Sequence, residues 1–317
     1  MRLLILLILL PFIAQGQIVR THPYYKPPVS GCSYLLDQYS GAAAAYSLRK
    51  LDCDYAGSAI RVRRSSDNTE QDIGFVNGNL DTTALKTFVG TGGTDDGFVV
   101  TWYDQSGNSK NVSNATLSQQ PKLMDNGIIY RKEGLPSIYF PGNTTSYFLT
   151  VTTISVSQSP LSAFSVFSKD GLGGGSNTTN SRVVTLSANG SSVDADVNGI
   201  IPILIAEGNL FSVSPPDVGG FRAGVRGFND YTYNNIVVFS SIFQSSSHTS
   251  YLNGSAGSTV SAANGSVTMT YLRLGENIAS SQGALNGYIS EVILYPSDQT
   301  SNRTGIESNI NTYYSIY

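Results

Sequence analysis

Residues 268–294 read TMTYLRLGENIASSQGALNGYISEVIL. Two runs rich in β-branched and aromatic side chains, Thr268–Leu274 and Gly287–Leu294, flank a stretch of Gly, Asn and Ser that suits neither strand nor helix. Runs of this kind, bounded by Gly, Asn, Asp or Pro, mark β-strands joined by turns. Outward from this stretch the same pattern predicts strands at Ala59–Arg63, Phe98–Tyr103, Ile128–Arg131, Ser137–Phe140, Phe148–Thr152, Ala163–Phe167, Arg182–Leu186, Ile201–Ile205, Phe221–Val225, Asn235–Phe239 and Thr249–Leu252. A dozen short strands make a sandwich or jelly roll. Asn253-Gly254 and Asn264-Gly265 supply hairpin turns, because Asn-Gly favours the type I′ geometry. Two helices are expected. One is a short turn over Thr82–Phe88 capped by Asp81; the other is a terminal helix started by Asp298 or Ser301, with Ile306, Ile310, Tyr313 and Tyr317 on its packed stripe.

The composition agrees with an all-β reading. Charged residues make up 13% of the 317, while Gly reaches 32, Tyr 19 and Phe 13, a mixture suited to short strands and tight turns. A net charge of −3 offers nucleic acid no general attraction. With two histidines, His22 and His248, and two cysteines, the chain lacks the clusters that most zinc, copper or haem sites need. No phosphate-loop or dinucleotide fingerprint occurs either.

Residues 1–16 read as a signal peptide, with Arg2 as the positive start, Leu3 to Ala14 as the apolar run and Ala14-Gln15-Gly16 as the cleavage site. The expected product is secreted and not inserted in the membrane after cleavage. Residues 17–30 hold three prolines and no periodicity and are expected to be an N-terminal linker; residues 31–317 then make one domain. In an oxidising compartment Cys32 and Cys53 have one intramolecular pairing open to them, so a disulfide is expected. Sequons begin at Asn111, Asn114, Asn143, Asn177, Asn189, Asn253, Asn264 and Asn302 and point to a glycoprotein where the host glycosylates.

Several segments carry a more specific pattern. These are Ala45-Tyr46-Ser47-Leu48-Arg49-Lys50-Leu51, the run from Tyr55 to Asp67 with its Val62-Arg63-Arg64, Asp72-Ile73-Gly74, Trp102-Tyr103-Asp104-Gln105-Ser106-Gly107-Asn108 and Tyr295-Pro296-Ser297-Asp298. Together they resemble the catalytic domain of the α-L-arabinofuranosidase B family over roughly residues 32 to 317. The resemblance implies a concanavalin A-like β-sandwich jelly roll with a short C-terminal helix, and a polysaccharide or other glycan as partner. A retaining glycosidase needs a nucleophilic carboxylate and an acid/base carboxylate about 5 Å apart. The family's Gly-Gly-Asp-Asn resembles Leu274-Gly275-Glu276-Asn277, which implies that Glu276 holds the acid/base place. The family's Gly-Asn-Ala-Glu-Thr-Asn-Ser-Arg resembles residues 175–182, where Thr178 stands at the nucleophile's position and the preceding paired cysteines are absent. A threonine hydroxyl without an adjacent base is a poor nucleophile.

Other residues suggest ligand contacts. Trp102, Tyr103, Asp104, Gln105 and Asn108, at the end of a strand, bring an aromatic face and several hydrogen-bonding groups to one loop, and Asn277 adjoins Glu276. The alternative for this loop is a polar turn in which Asp104 binds backbone N–H groups and Gly107 takes positive φ. Asp194, Asp196 and Asn198 match the first half of a calcium loop, but Ile205 stands where an EF-hand needs Glu, which leaves a looser Ca²⁺ site; no other cofactor is implied. Arg61 and Arg63 are expected on one strand face, paired with Asp67, Glu70 or Asp72. The leading expectation is a secreted glycan-binding jelly roll with an impaired catalytic site. Its alternatives are an active α-L-arabinofuranosidase using Glu276 with Asp170, Asp194, Glu207 or Glu291, and a structural or adhesive surface protein.

Overall fold

A computed structural model describes residues 31–142, 146–170, 180–190, 199–206, 209–216, 222–228, 234–261, 266–278 and 283–317. The protein is a β-sandwich of antiparallel strands with three short helices. Ser33–Tyr317 forms one compact unit.

The strand Asn286–Tyr295 is the spine of one layer. One of its edges is shared by two strands: Ala44–Ser47 pairs from Ala44↔Leu294 to Ser47↔Glu291, and Ile138–Pro141 from Ile138↔Ile289 to Pro141↔Asn286. Its other edge carries Leu161–Lys169, from Ser162↔Tyr295 to Lys169↔Gly287, with a bulge between Val166 and Phe167. Beyond it follow Val237–Phe243, Ser247–Leu252 and Ser255–Ser261. Two further groups of strands complete the fold. Ile60–Arg64 lies between Glu70–Ile73 and Gly97–Trp102. Tyr271–Leu274 lies between Leu149–Val151 and Asn180–Ser187.

The spine strand is buried on both faces, and its period of two sorts its side chains between two cores. Val292 and Leu294 enter the main core with Val62, Trp102, Phe140, Phe167 and Leu274. Ile293 and Tyr295 point the other way, into a second cluster with Phe164, Val166, Leu35, Ile306, Ile310 and Tyr314. Helices Leu35–Gln38 and Arg303–Tyr314 cover this second cluster. One end of the outer face is thus roofed by helix.

The predicted strands recur with shifted ends, with two differences: Ile128–Arg131 divides into Ile128–Ile129 and Arg131–Lys132, and Thr268–Leu274 into Thr268–Met269 and Tyr271–Leu274. Asp81 caps Thr82–Val89 by accepting from the Ala84 N–H at 2.8 Å. Asn253 and Gly254 take φ of 48° and 81° between two paired strands, the expected hairpin turn. Ala263-Asn264-Gly265 and Phe221 lie outside or at the margin of the described residues. The terminal helix departs from expectation at both ends. It begins after Asn302, and Ser315 at φ 54° ends it, so Tyr317 falls beyond the helix and is 52% exposed. Its buried stripe is Ile306, Ile310 and Tyr314, steps of four that follow the packed face, whereas Tyr313 lies on the flank.

Candidate functional site

The loop after Gly97–Trp102 is knitted into the fold. Trp102 is fully buried in the main core, 5.9 Å from the Tyr46 ring, and presents no face to a ligand. The Asp104 carboxylate accepts from the backbone N–H groups of Ala45 (2.8 Å), Ser106 (2.9 Å) and Lys110 (2.9 Å), and from the Ser106 hydroxyl. Gln105 accepts from Leu51 N–H at 2.8 Å and donates to the carbonyls of Ser47 and Arg49, both at 3.0 Å. Asn108 donates to the Ala42 and Ala43 carbonyls. Gly107 takes φ 85°. The polar turn is therefore the arrangement found, and it bolts the 42–51 segment to the strand end. Tyr103 is half-buried and its hydroxyl donates to Asp72 at 2.7 Å, while Asn108 lies at the surface.

Glu276 is placed very differently. Tyr271–Leu274 stops because Gly275 turns at φ 87°, where a Cβ would run into the Phe140 ring, so only glycine fits. The turn is pinned by Gly275 N–H to Val183 O (3.1 Å), Leu285 N–H to Gly275 O (2.8 Å) and the Thr185 hydroxyl to Glu276 O (3.0 Å). It carries Glu276, 1% exposed, and the fully buried Asn277 inward. Arg273, three residues back, donates to Glu276 Oε2 at 3.3 Å and to Asn277 O at 2.9 Å, and its guanidinium lies 3.9 Å from the Phe148 ring centre. Among the described residues Glu276 Oε1 has no hydrogen-bond partner, and neither has Arg273 Nε. Burial pushes the Glu276 carboxyl up to about 7, against the opposing pull of the Ser146 hydroxyl, Arg273 and Arg182. Burial likewise lowers Arg273, with Glu276 working against it. Arg182 N–H bonds Gly283 O at 2.9 Å, so the start of Asn180–Ser187 abuts the chain just past the turn.

Sequence reasoning found Glu276 and Asn277 but missed Arg273, Arg182, Ser146 and Phe148. A signal for Arg273 was present, since it interrupts the apolar alternation of Tyr271–Leu274 three residues before an acid. Thr178 and the calcium candidates Asp194, Asp196 and Asn198 lie outside the described residues, as do Glu207 and His22. Of the proposed second carboxylates, Asp170 binds Lys132 at 2.8 and 3.0 Å, and Glu291 binds Arg49 at 2.8 and 2.9 Å. Both are held in pairs that leave Glu276 out. His248 is buried with its ring stacked 5.1 Å from Phe243. Arg61 pairs with Asp72 and Arg64 with Asp67, while Arg63 turns inward to Gln120, Asn68 and the Phe98 ring.

Cys32 and Cys53 form the expected disulfide. Asp37 lies within 4.8 Å of both sulfurs, but two sulfurs bonded to each other are not thiolate ligands, so the trio is no metal site. Among the described residues no helix is long and apolar enough to cross a membrane.

No protein-family model matches the chain, and no curated protein matches it in sequence. Solved structures do match it in fold. The fold is a β-sandwich, and the solved structures similar to it include arabinofuranosidases at low identity. One is an arabinofuranosidase complexed with arabinofuranosyl-α-1,2-xylobiose, at TM-score 0.54 and 14% identity over 85% of this chain and 62% of that one. A second is a GH54 α-L-arabinofuranosidase soaked with a cyclic sulfate inhibitor, at TM-score 0.53 and 16% identity with the same 85% and 62% coverage. A third is a point mutant of a GH54 α-L-arabinofuranosidase soaked with 4-nitrophenyl α-L-arabinofuranoside, at TM-score 0.54 and 15% identity, again with 85% and 62% coverage. The chain spans 62% of the length of each.

Proposed function

We propose that the protein is a secreted glycan-binding β-sandwich that contacts its ligand at Glu276 and whose hydrolytic power is lost. The observation that carries this reading is the buried, half-partnered carboxyl of Glu276. A buried polar atom without a partner costs roughly 1–3 kcal/mol, and a ligand that supplies the missing bond recovers that cost. Sugar hydroxyls both donate and accept and therefore suit a carboxyl in either protonation state. The ligand class follows the fold neighbours, one of which holds an arabinofuranosyl-substituted xylobiose. Export is supported by the Cys32–Cys53 disulfide, a bond that persists in oxidising compartments.

One observation favours the enzyme as second reading. A carboxyl raised to about 7 is what an acid catalyst needs at neutral pH. Among the described residues it has no anionic partner, since Asp170 and Glu291 are engaged elsewhere, and the family resemblance puts Thr178 in the nucleophile's place. Without that partner no glycosyl intermediate forms.

The test couples calorimetry on an arabinofuranosyl-substituted xylo-oligosaccharide to an assay on an aryl α-L-arabinofuranoside. Binding that weakens about tenfold in Glu276→Ala, with negligible turnover, is the expected result. Thr178→Glu should restore some turnover by returning the missing carboxylate. Robust wild-type hydrolysis that disappears in Glu276→Gln overturns the binding reading in favour of the enzyme.

A further inference from the structure

The spine layer has an outer face roofed at one end by Arg303–Tyr314, and at its other end that face carries three tyrosines instead of helix. The strand period places them there. Ile138 and Phe140 enter the main core, so Tyr139 points outward; Tyr288, its direct cross-strand partner, does the same beside Ile289. Tyr130 completes the group, anchored by its N–H to Leu123 O and by Ser137 N–H to its own carbonyl. Ring centres lie 4.9 Å apart for Tyr130–Tyr139 and Tyr139–Tyr288, and 5.8 Å for Tyr130–Tyr288. All three are half-buried. The Tyr139 hydroxyl donates to Asn286 Oδ1 at 3.1 Å, whereas those of Tyr130 and Tyr288 bond to no described residue.

Charge around the rings decides what they suit. Lys132 lies 4.5 Å from the Tyr288 ring centre and is held by Asp170 at 2.8 Å. Lys122 is held by Asp96 and Asp125. These two ammonium groups thus face three carboxylates, so neither is free to hold a phosphate or uronate, which disfavours nucleic acid. Clustered aromatic faces with hydroxyls at their rims fit a ligand that is apolar on its C–H faces and hydroxylated at its edges. We propose that Tyr130, Tyr139 and Tyr288 form a second glycan-binding surface, which takes an uncharged polysaccharide chain on the outer face of the sheet. This surface shares with the reading above only its class of ligand. Phe140 separates the two places, packed under Gly275 on the opposite side of the strand that carries Tyr139.

The test is native-gel affinity electrophoresis with dissolved arabinoxylan or linear arabinan, and with polygalacturonate as an acidic chain. The wild type should be retarded by a neutral polymer and not by polygalacturonate. Tyr139→Ala with Tyr288→Ala should weaken retardation about tenfold or more, and the paired Phe substitutions, which keep the rings, should retain most of it. Should the double Ala variant fail to fold, Tyr288→Ala alone decides, since that hydroxyl makes no bond within the described fold. The tyrosine substitutions are compared in the Glu276→Ala background, where retardation reports the tyrosine surface alone, while in the otherwise native chain they leave oligosaccharide calorimetry unchanged; the two readings therefore fail separately. An unretarded wild type, retardation by polygalacturonate alone, or undiminished retardation in a folded Ala variant overturns the proposal.

Discussion

Two of the buried arginine–glutamate pairs in this sandwich, Arg49–Glu291 and Arg273–Glu276, are built to different standards. In the first, Arg49 grips Glu291 with two bonds of 2.8 and 2.9 Å, and Ser47 adds a third at 2.8 Å. The Tyr314 hydroxyl approaches at 3.3 Å, and Asn309 takes the remaining edge of the guanidinium at 3.0 Å. Burial by itself would lower Arg49, yet Glu291 raises it above its ordinary value. In the second, Arg273 touches Glu276 once, at 3.3 Å, and a carboxylate oxygen and a guanidinium nitrogen have no partner among the described residues. The first pair holds the terminal helix to the spine strand. A satisfied network of that kind rigidifies, whereas a half-satisfied one leaves buried polar groups at a cost to stability.

The comparison breaks first at Glu291. Glu291→Ala strands Arg49 in a dry interior and should cost about 3–5 kcal/mol in urea unfolding. A smaller loss there than in Glu276→Ala would reverse the contrast. Next comes the pH dependence of Glu276, whose carboxyl rises from its ordinary 4.5 to about 7 on folding. Between those values the folded chain keeps a proton that the unfolded chain has released, so stability is full below pH 4.5 and falls as pH rises towards 7. The loss is on the order of 3 kcal/mol. Glu276→Gln should flatten that slope, and an unchanged slope would show that the carboxyl titrates normally. Ser47→Ala sharpens the other side of the comparison. It removes the charged hydrogen bond to Glu291 and the one its hydroxyl accepts from Arg49 N–H, and should cost about 1.5–3 kcal/mol. The smallest effect belongs to the exposed pair Arg61–Asp72, where side chains 42% and 39% exposed are screened by water. Arg61→Ala should shift stability by only about 0.2–1 kcal/mol.

How much of this was legible in sequence depends on the range of the interaction. Strands with β-branched runs, such as Leu161–Lys169 and Asn286–Tyr295, announce themselves locally. Ala44–Ser47 does not, because its alanines favour helix and only its ladder with residues 291–294 makes it a strand. Asp104 and Gln105 read as a ligand rim because polar residues at a strand end look alike from sequence, whichever partner they have. Their acceptors and donors sit in the 42–51 segment, far away in the chain. Glu276 was legible because Gly275 and Asn277 frame it in a short motif. Its depleted partner shell was not, since Ser146 and Arg182 reach it from distant parts of the chain and Phe148 packs on its partner Arg273.

The spine strand has one more consequence, for the order in which the chain acquires its shape. Ala44–Ser47, Ile138–Pro141 and Leu161–Lys169 all take their partner from the ten residues Asn286–Tyr295, which are made long after they are. During synthesis these three segments wait with unpaired backbone edges, the condition in which strands recruit wrong neighbours. Pairing across so great a span of sequence also closes slowly. Nascent chains halted before Asn286 should therefore be the aggregating species, and a chaperone that masks open strand edges should matter most at that moment.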